Sequence, residues 1–369
     1  RLYGAIIPLK TSQKLLFRNH TVIPCYKRNP FEKCYKNTFE NQRSFGKQIA
    51  DSFMDRNVIN VLAVAPTQSG KTGSMVAFCY ESMNRRELRV KKEHVFVITG
   101  HSSLEWLEQT RSRFPSWMRQ QIFHRNHFKR LKQRICALSN VILIIDECHI
   151  ASKQGQTLYQ LIQDISPQLH ARNFKLVQVS ATPENLTQSF SDKWQNAHRL
   201  CHMAVPSNYL SVEALHVQNR IRIAKDLCAF DEQSNSVQDV AYDNIREIIP
   251  LIQNMPPSYH IIRTPRAHKH HVVMRNFKLV FESFNAIYIS SNHIDNAQFD
   301  ALLANPPIHH TFIFIKDKLR CAKTIHHKFI GILYERWVYK PNRTSILQGL
   351  LGRITGFHSN SQAIVFSFF

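Results

Sequence analysis

A short segment in the first quarter of the chain carries the residue types that bind nucleotide phosphates. It consists of Ala65, Pro66, Thr67, Gln68, Ser69, Gly70, Lys71 and Thr72. The uncharged apolar stretch before it predicts a buried strand over residues 58–65, and a helix is predicted over residues 72–83. A tight turn between strand and helix directs backbone N–H groups at an anion, although glycine is usual where Ala65 stands. Lys71 would face the β- and γ-phosphates and Thr72 would offer Mg²⁺ a hydroxyl, so ATP with Mg²⁺ is the expected ligand.

An acidic pair after a second apolar stretch supplies the other half of a phosphate-transfer site. Residues 141–145 predict a strand, and Asp146 and Glu147 follow it directly. Asp146 is expected to hold Mg²⁺, directly or through water, and Glu147 to act as general base toward the attacking water. Parallel strands place their ligand-binding loops at one edge of a sheet, so the pair and the phosphate-binding loop should meet there.

Two series of strands alternating with helical stretches would position these residues. The first series has predicted strands at residues 58–65, 95–99, 141–145 and 174–180. The second has predicted strands at residues 259–262, 286–289, 311–315, 330–334 and 363–368. This alternation predicts an α/β protein whose parallel sheets are flanked by helices. The predicted division is a basic N-terminal arm (1–42), a nucleotide-binding domain (43–205), an acidic linker (206–256) and a second domain (257–369).

Charge and composition narrow the choice of partner. The net charge of the 369-residue chain is +22, with basic ends and an acidic stretch between residues 201 and 250. A polyanion is therefore an expected partner, and a generally basic solvated surface is the alternative. The apolar runs are too short to span a membrane, and no signal-peptide pattern begins the sequence. The eight cysteines form no zinc-ligand pattern, which favours reduced thiols and an intracellular location in cytoplasm, nucleus, viral factory or virion.

In these motifs the chain resembles the superfamily 2 helicases of the DExD/H class, and it is most similar to those of large DNA viruses, phages and mobile elements. Asp146-Glu147-Cys148-His149 matches their second motif in its DECH form. Ser180, Ala181 and Thr182 match the third motif, which couples hydrolysis to domain movement. Gln48 stands where the family has an adenine-reading glutamine, and a surface glutamine is the alternative.

The sixth motif of that family resembles the stretch from Gln348 to Arg353. The resemblance implies that Gln348 belongs to the coupling machinery and that Arg353 is an arginine finger. Such a finger stabilises charge on the transferred phosphoryl group. The second arginine of the motif is absent, because Gly356 occupies its position.

Other stretches resemble the nucleic-acid-binding motifs more loosely. The residues implied to contact a strand are Thr99, Gly100, Ser102, Ser103, Arg263, Lys318 and Arg320. Trp106 would either stack on a base or pack in the core. The basic stretch around Lys318 and Arg320 has a solvated surface loop as its alternative.

The resemblance implies two tandem RecA-like domains that bind ATP and Mg²⁺ between them and DNA or RNA along one face. The implied activity is an ATP-dependent helicase or translocase, and a monomer is compatible with it. Two alternatives stay open: a duplex translocase without strand separation, and a nucleic-acid-binding or structural protein, such as one of a viral particle, with a degenerate helicase fold.

Overall fold

The computed structural model describes residues 29–102, 104–150, 154–181, 197–291, 294–316, 319, 325–340, 347, 349–358 and 360–368. These residues form two six-stranded sheets, one in each half of the chain, and a two-stranded hairpin. Among the helices of this part of the chain, none has the length and apolar character needed to cross a membrane.

The first sheet is entirely parallel, so its strands share one carboxyl edge. Its strands are β1 (Asn60–Val64), β2 (Val95–Thr99), β3 (Ile122–His124), β4 (Ile142–Asp146), β5 (Lys175–Ser180) and β6 (His198–His202). Across the sheet they run in the order β3-β2-β4-β5-β1-β6. Strand β5 therefore separates β1, which leads into the phosphate-binding loop, from β4, which ends in the acidic pair.

Helices cover both faces of this sheet. They are α1 (Glu32–Lys36), α2 (Glu40–Ser52), α3 (Lys71–Asn84), α4 (Leu104–Arg113), α5 (Phe128–Ile135) and α6 (Thr157–Ala171). Successive strand residues point to opposite faces, so each strand contributes to two cores. In β1, Val61 packs in the core that contains Phe45 and Phe78, whereas Leu62 packs in the core that contains Leu161.

The second sheet repeats the parallel arrangement. Its strands are β7 (Ile221–Ile223), β10 (Tyr259–Arg263), β11 (Ile287–Ser290), β12 (Thr311–Ile315), β13 (Ile330–Tyr334) and β14 (Ile364–Ser367), while β8 (Phe230–Asp231) and β9 (Ser236–Val237) form the hairpin. The order is β11-β12-β10-β13-β14-β7. Its helices are α7 (Val212–Val217), α8 (Asp239–Arg246), α9 (Ile249–Gln253), α10 (His268–Val280), α11 (Asn296–Ala304) and α12 (Leu350–Ile354). The prediction of two tandem α/β domains with parallel sheets is confirmed.

The predicted N-terminal arm is too long. Residues 1–28 lie outside the described part of the chain, but residues 29–42 pack on the first domain. Phe31 is fully buried, and the Tyr35 ring stacks on Tyr80 with centroids 3.9 Å apart. The basic composition of this stretch concealed its aromatic contacts, which depend on residues distant in sequence.

The predicted linker, residues 206–256, also differs from the structure. Strand β7 pairs with β14 as an edge strand of the second sheet. Ile245 and Ile252, from α8 and α9, are fully buried in a core of the second domain. The acidic composition of this stretch suggested a linker. Its three-residue strand and two short helices give too little periodicity to be recognised in the sequence.

Candidate nucleotide site between the two domains

The phosphate-binding loop turns from β1 into the first residue of α3. Gly70 caps this helix with a φ of 95°, a left-handed conformation that favours glycine. The Ser69 hydroxyl donates a 2.8 Å hydrogen bond to the carbonyl of Pro66, which closes the turn. The Ala65 amide donates to the carbonyl of Ser180, so the loop is anchored to β5. Ala65, Pro66 and Ser69 thus shape the turn, and the N–H groups at the start of α3 point out of it.

Gln42, rather than Gln48, lies against this loop. A Cβ atom added to Gly70 would come within 1.9 Å of Gln42 Nε2, and one added to Gly73 within 2.1 Å of Gln42 Oε1. The Gln42 side chain is buried, and its Oε1 accepts a 3.1 Å hydrogen bond from the amide of Phe39. Gln48 is exposed. Gln48 lies six helical positions further along α2 and is rotated away from the face that meets the loop.

The acidic pair lies buried at the end of β4, close to Lys71. Lys71 Nζ is 3.4 Å from Glu147 Oε1, in an ion pair with little exposure of either side chain. The two oxygens of Asp146 each accept a hydrogen bond, Oδ1 from the Glu147 amide at 3.0 Å and Oδ2 from Trp106 Nε1 at 2.8 Å. Glu147 has a φ of 50°, uncommon for a residue with a side chain. Such local strain is characteristic of functional sites.

Burial and neighbouring charges together shift the pKa values of the two carboxyl groups in opposite directions. Burial, reinforced by the charge of Glu147, raises the pKa of Asp146. Burial also raises the pKa of Glu147, but Lys71 and the neighbouring His149 and His101 more than offset it, so the net pKa is lowered. Glu147 is thereby kept ionised as a proton acceptor, and Asp146 gains most from a cation beside it.

A chain of contacts links the acidic pair to the end of β5. His149 Nδ1 is 3.4 Å from Ser180 Oγ and 3.7 Å from Glu147 Oε2. Ser180 is fully buried, and Ala181 follows the end of the strand. Thr182 lies outside the described residues, as does Gln348, the other residue predicted to take part in coupling.

The second domain meets the phosphate-binding loop through α12 and the residues after it. Gln68 Nε2 donates to the carbonyls of Gly352 and Arg353, at 3.2 and 3.0 Å. The hydroxyl oxygens of Thr67 and Thr355 are 2.8 Å apart. Two residues of the loop thus contact the backbone of the predicted sixth motif and the side chain of Thr355, which follows it.

One cleft of about 720 Å³ contains these groups. The first domain contributes predicted residues to its lining, namely Thr67, Gln68, Gly70, Lys71, Thr72, Asp146 and Glu147. The second domain contributes His327, Arg353 and Phe357. The predicted phosphate, metal and base residues and the predicted arginine finger therefore share a single space.

The position of Gly356 explains why no second arginine stands there. Its φ is 114°, and its backbone exchanges two hydrogen bonds with Leu210, of 2.9 and 3.0 Å. A Cβ atom at this position would lie 3.1 Å from the Cβ of Gln68. A side chain here would be strained and would press on the phosphate-binding loop.

Helix α4 brings five residues into the cleft that the sequence did not assign to it, namely Trp106, Gln109, Thr110, Ser112 and Arg113. Trp106 and Arg113 both line the cleft, seven positions apart and so on one helical face. Arg113 Nη1 donates a 3.2 Å hydrogen bond to Thr72 Oγ1. The sequence of α4 contains an indication of this placement. Trp106 and Arg113 share one helical face, and an arginine is unexpected on a face that packs in the core.

The predicted nucleic-acid residues fall into different environments. Thr99 and Gly100 are buried, and Thr99 Oγ1 accepts a 3.3 Å hydrogen bond from the His101 amide. Ser102 is exposed beyond the end of β2. Ser103, Lys318 and Arg320 lie outside the described residues.

Arg263 is a structural residue in this fold, contrary to its predicted contact with a strand. Its Nε is 2.9 Å from Glu335 Oε1, and its Nη2 donates to the carbonyl of Leu319 at 3.0 Å. Glu335 Oε2 in turn accepts a hydrogen bond from the Leu350 amide at the start of α12. With 8% of its surface exposed, Arg263 braces β10, β13 and α12 from inside.

The donor set of the cleft fits magnesium and a nucleoside triphosphate. A threonine hydroxyl and an aspartate carboxylate are hard oxygen ligands of the kind Mg²⁺ prefers, and it commonly takes only one or two protein ligands plus substrate phosphates. In keeping with this, the described residues contain no cluster of three or more His, Cys, Asp or Glu side chains that could hold a metal alone. Lys71 and Arg353 provide positive charge for phosphates on two sides of the same space.

Comparison with known proteins identifies the fold. No protein-family model matches the chain. An uncharacterised protein of Acanthamoeba polyphaga mimivirus is 23% identical over 343 residues, covering 86% of this chain and 82% of that protein. The DEAH/RHA helicase HrpB of Escherichia coli superposes with a TM-score of 0.50 at 14% identity, over 84% of this chain and 40% of HrpB. Dbp5 of S. cerevisiae, bound to RNA and ADP BeF3, gives a TM-score of 0.47 at 16% identity, over 83% of this chain and 78% of Dbp5.

The molecule accordingly has a helicase-like fold of two tandem RecA-like domains. This is the class that the two parallel sheets and the likeness to HrpB define.

Proposed function

We propose that the protein is an ATP-dependent nucleic-acid motor of the superfamily 2 DExD/H group, a helicase or translocase. One observation carries the proposal: Lys71, Asp146 and Glu147 of the first domain share a cleft with Arg353 of the second. A site divided between two domains uses hydrolysis to change their relative position, which is what a motor requires. The mimivirus relative is consistent with a viral type of helicase and an intracellular place of action.

The chain's own residues divide the work of hydrolysis. The N–H groups of α3 and the Lys71 ammonium bind the phosphates, and Thr72 and Asp146 hold Mg²⁺. A Mg²⁺ ion held there would supply positive charge that neutralises the phosphates. Glu147, kept ionised by Lys71, orients a water molecule and accepts its proton, while Arg353 stabilises charge on the transferred group.

Coupling to movement uses the contacts at the end of β5 and at α12. Ser180 touches His149, which is beside Glu147, so a change at the phosphate reaches β5. Gln68 and Thr67 bond to residues 352–355, so a shift of the loop reaches the second domain. Adenine is recognised by the Gln42 amide next to the loop, and Phe39 lies exposed at the same end of the cleft.

A nucleic acid strand of DNA or RNA lies along the carboxyl edges of the two sheets. Ser102 is exposed there, and Ser103, Lys318 and Arg320 remain predicted contacts. The net charge of +22 favours a polyanion on this surface. Motion along the strand follows from alternate opening and closing of the cleft.

The decisive experiment measures ATP hydrolysis with and without single-stranded DNA or RNA for the wild type, Lys71→Ala and Glu147→Gln. We expect Glu147→Gln to lower hydrolysis by about 10²–10⁴-fold, because a general base contributes that much. Lys71→Ala should lose hydrolysis and also stability, since Glu147 would be left buried without its partner, at a cost of roughly 3–5 kcal/mol.

Matched controls are Lys47→Ala and Glu93→Gln, because both side chains are exposed and outside the cleft. Circular dichroism establishes that each variant is folded. Wild-type rates of strand-stimulated hydrolysis in folded Glu147→Gln would refute the proposal.

A further inference from the structure

Trp106 is buried yet makes a polar contact that core packing does not require. Its indole Nε1 donates a 2.8 Å hydrogen bond to Asp146 Oδ2, and only 3% of the residue is exposed. The other oxygen of Asp146 accepts from the Glu147 amide at 3.0 Å. Both carboxylate oxygens are thus fixed by N–H donors, which determines the plane and direction of the carboxylate.

The orientation of α4 makes this contact specific. Arg113, two turns further along α4, reaches Thr72 Oγ1 at 3.2 Å. The face of α4 that carries Trp106 and Arg113 therefore touches both residues that are expected to bind Mg²⁺, and it does so from one rigid element. A base-stacking role for Trp106, one of the two roles expected from the sequence, is incompatible with its burial.

We propose that Trp106 is a positioning residue that orients the Asp146 carboxylate toward Mg²⁺, and this inference rests on the proposed ATPase function. An indole N–H only donates, so further lone pairs of both carboxylate oxygens stay available to the metal. Hydrogen-bonded partners behind a metal ligand commonly change metal affinity by about 10–100-fold when they are removed.

The test measures how tightly the protein binds the fluorescent nucleotide mant-ADP as a function of free Mg²⁺. We expect the Trp106→Phe variant to require about 10–100-fold more free Mg²⁺ to reach the half-maximal increase in its affinity for mant-ADP. Trp117→Phe is the matched control, because Trp117 packs against the same core and its ring contacts Phe31, with centroids 5.2 Å apart. It should need the wild-type Mg²⁺ concentration.

A double-mutant cycle separates positioning from packing. In an Asp146→Asn background the magnesium requirement should no longer respond to Trp106→Phe, because the carboxylate through which Trp106 acts is gone. A magnesium requirement of Trp106→Phe equal to that of the wild type, with mant-ADP still bound, would overturn the inference and leave the ATPase function standing. Absence of magnesium-dependent mant-ADP binding in the wild type would overturn both.

A second measurement does not depend on the folding of Trp106→Phe. A variant with the three substitutions Trp117→Phe, Trp194→Phe and Trp337→Phe keeps Trp106 as its only tryptophan. Its emission should change when Mg²⁺ and ADP are added together, and Asp146→Asn should abolish that change. The proposal would be contradicted if the Trp106 emission of this variant did not change on addition of Mg²⁺ and ADP while mant-ADP binding remained magnesium-dependent.

Discussion

At the scale of single residues, the site depends on which side chains face the phosphate-binding loop. Lys71, Asp146 and Glu147 lie close together beside that loop. Gln42 lies on the buried face of α2, beside Gly70 and Gly73, whereas Gln48 points to solvent on the same helix. The two glutamines therefore provide an internal comparison between a residue in the cleft and one outside it.

We expect Gln42→Ala to weaken ATP binding and to reduce the preference for ATP over GTP, and Gln48→Ala to change neither. The loss of a base-specific hydrogen bond corresponds to about 1 kcal/mol or more, or roughly a fivefold or larger change in affinity. Competition against mant-ADP by ATP and by GTP measures this preference directly. An altered preference in Gln48→Ala with an unaltered one in Gln42→Ala would restore the assignment made from the sequence.

At the scale of elements, an ion pair inside the second domain fixes α12, which carries the proposed arginine finger. Arg263 on β10 pairs with Glu335 after β13, and Glu335 accepts the amide of Leu350. These contacts join three elements at the carboxyl edge of the second sheet. The position of Arg353 in the cleft therefore depends on Arg263 and Glu335, which do not line it.

Replacing Arg263 by Met should lower the free energy of unfolding by about 3–5 kcal/mol, because Glu335 would stay buried without its cation. Urea unfolding followed by circular dichroism measures the loss. Arg246→Met is the control, since Arg246 pairs with Asp243 on an exposed helix surface and should change stability by about 0.5 kcal/mol or less. Weakened strand binding at unchanged stability would show instead that Arg263 contacts nucleic acid.

At the scale of the whole molecule, charge and the division of the cleft determine behaviour. The chain has a net charge of +22, and its two domains meet where Thr67 and Gln68 contact Thr355 and Arg353. Both features are spread over residues distant in sequence. The first favours long-range attraction to a polyanion, and the second means that a nucleotide bound as proposed would bridge the domains.

We expect the affinity for a single strand to fall steeply with salt. Contact with about four phosphates predicts roughly a 50-fold loss between ~50 and ~200 mM monovalent salt, because counterions released on binding oppose it. Fluorescence anisotropy of labelled single-stranded DNA and RNA measures this slope. An affinity that does not change with salt would favour the alternative of a solvated basic surface without a nucleic acid partner.

The sequence by itself determined the parallel α/β domains, the phosphate-binding loop and the acidic pair, because each is encoded in contiguous residues with a regular period or spacing. Strands β1, β2, β4 and β12 match their predicted positions to within two residues at each end. Contiguous sequence was not sufficient for the acidic stretch before β10, which was predicted to be a linker. There, three-residue β7 joins the sheet only by pairing with β14, far along the chain.

Only the tertiary structure decided which polar side chains enter the cleft. The face of α2 selects Gln42, the face of α4 brings in Trp106, and the backbone at Gly356 leaves no room for a second arginine. Arg263 points inward because it pairs with Glu335, which lies at the end of the neighbouring strand β13. Each outcome depends on contacts between residues distant in sequence, and local pattern carries no information about which side chain a neighbouring element will meet.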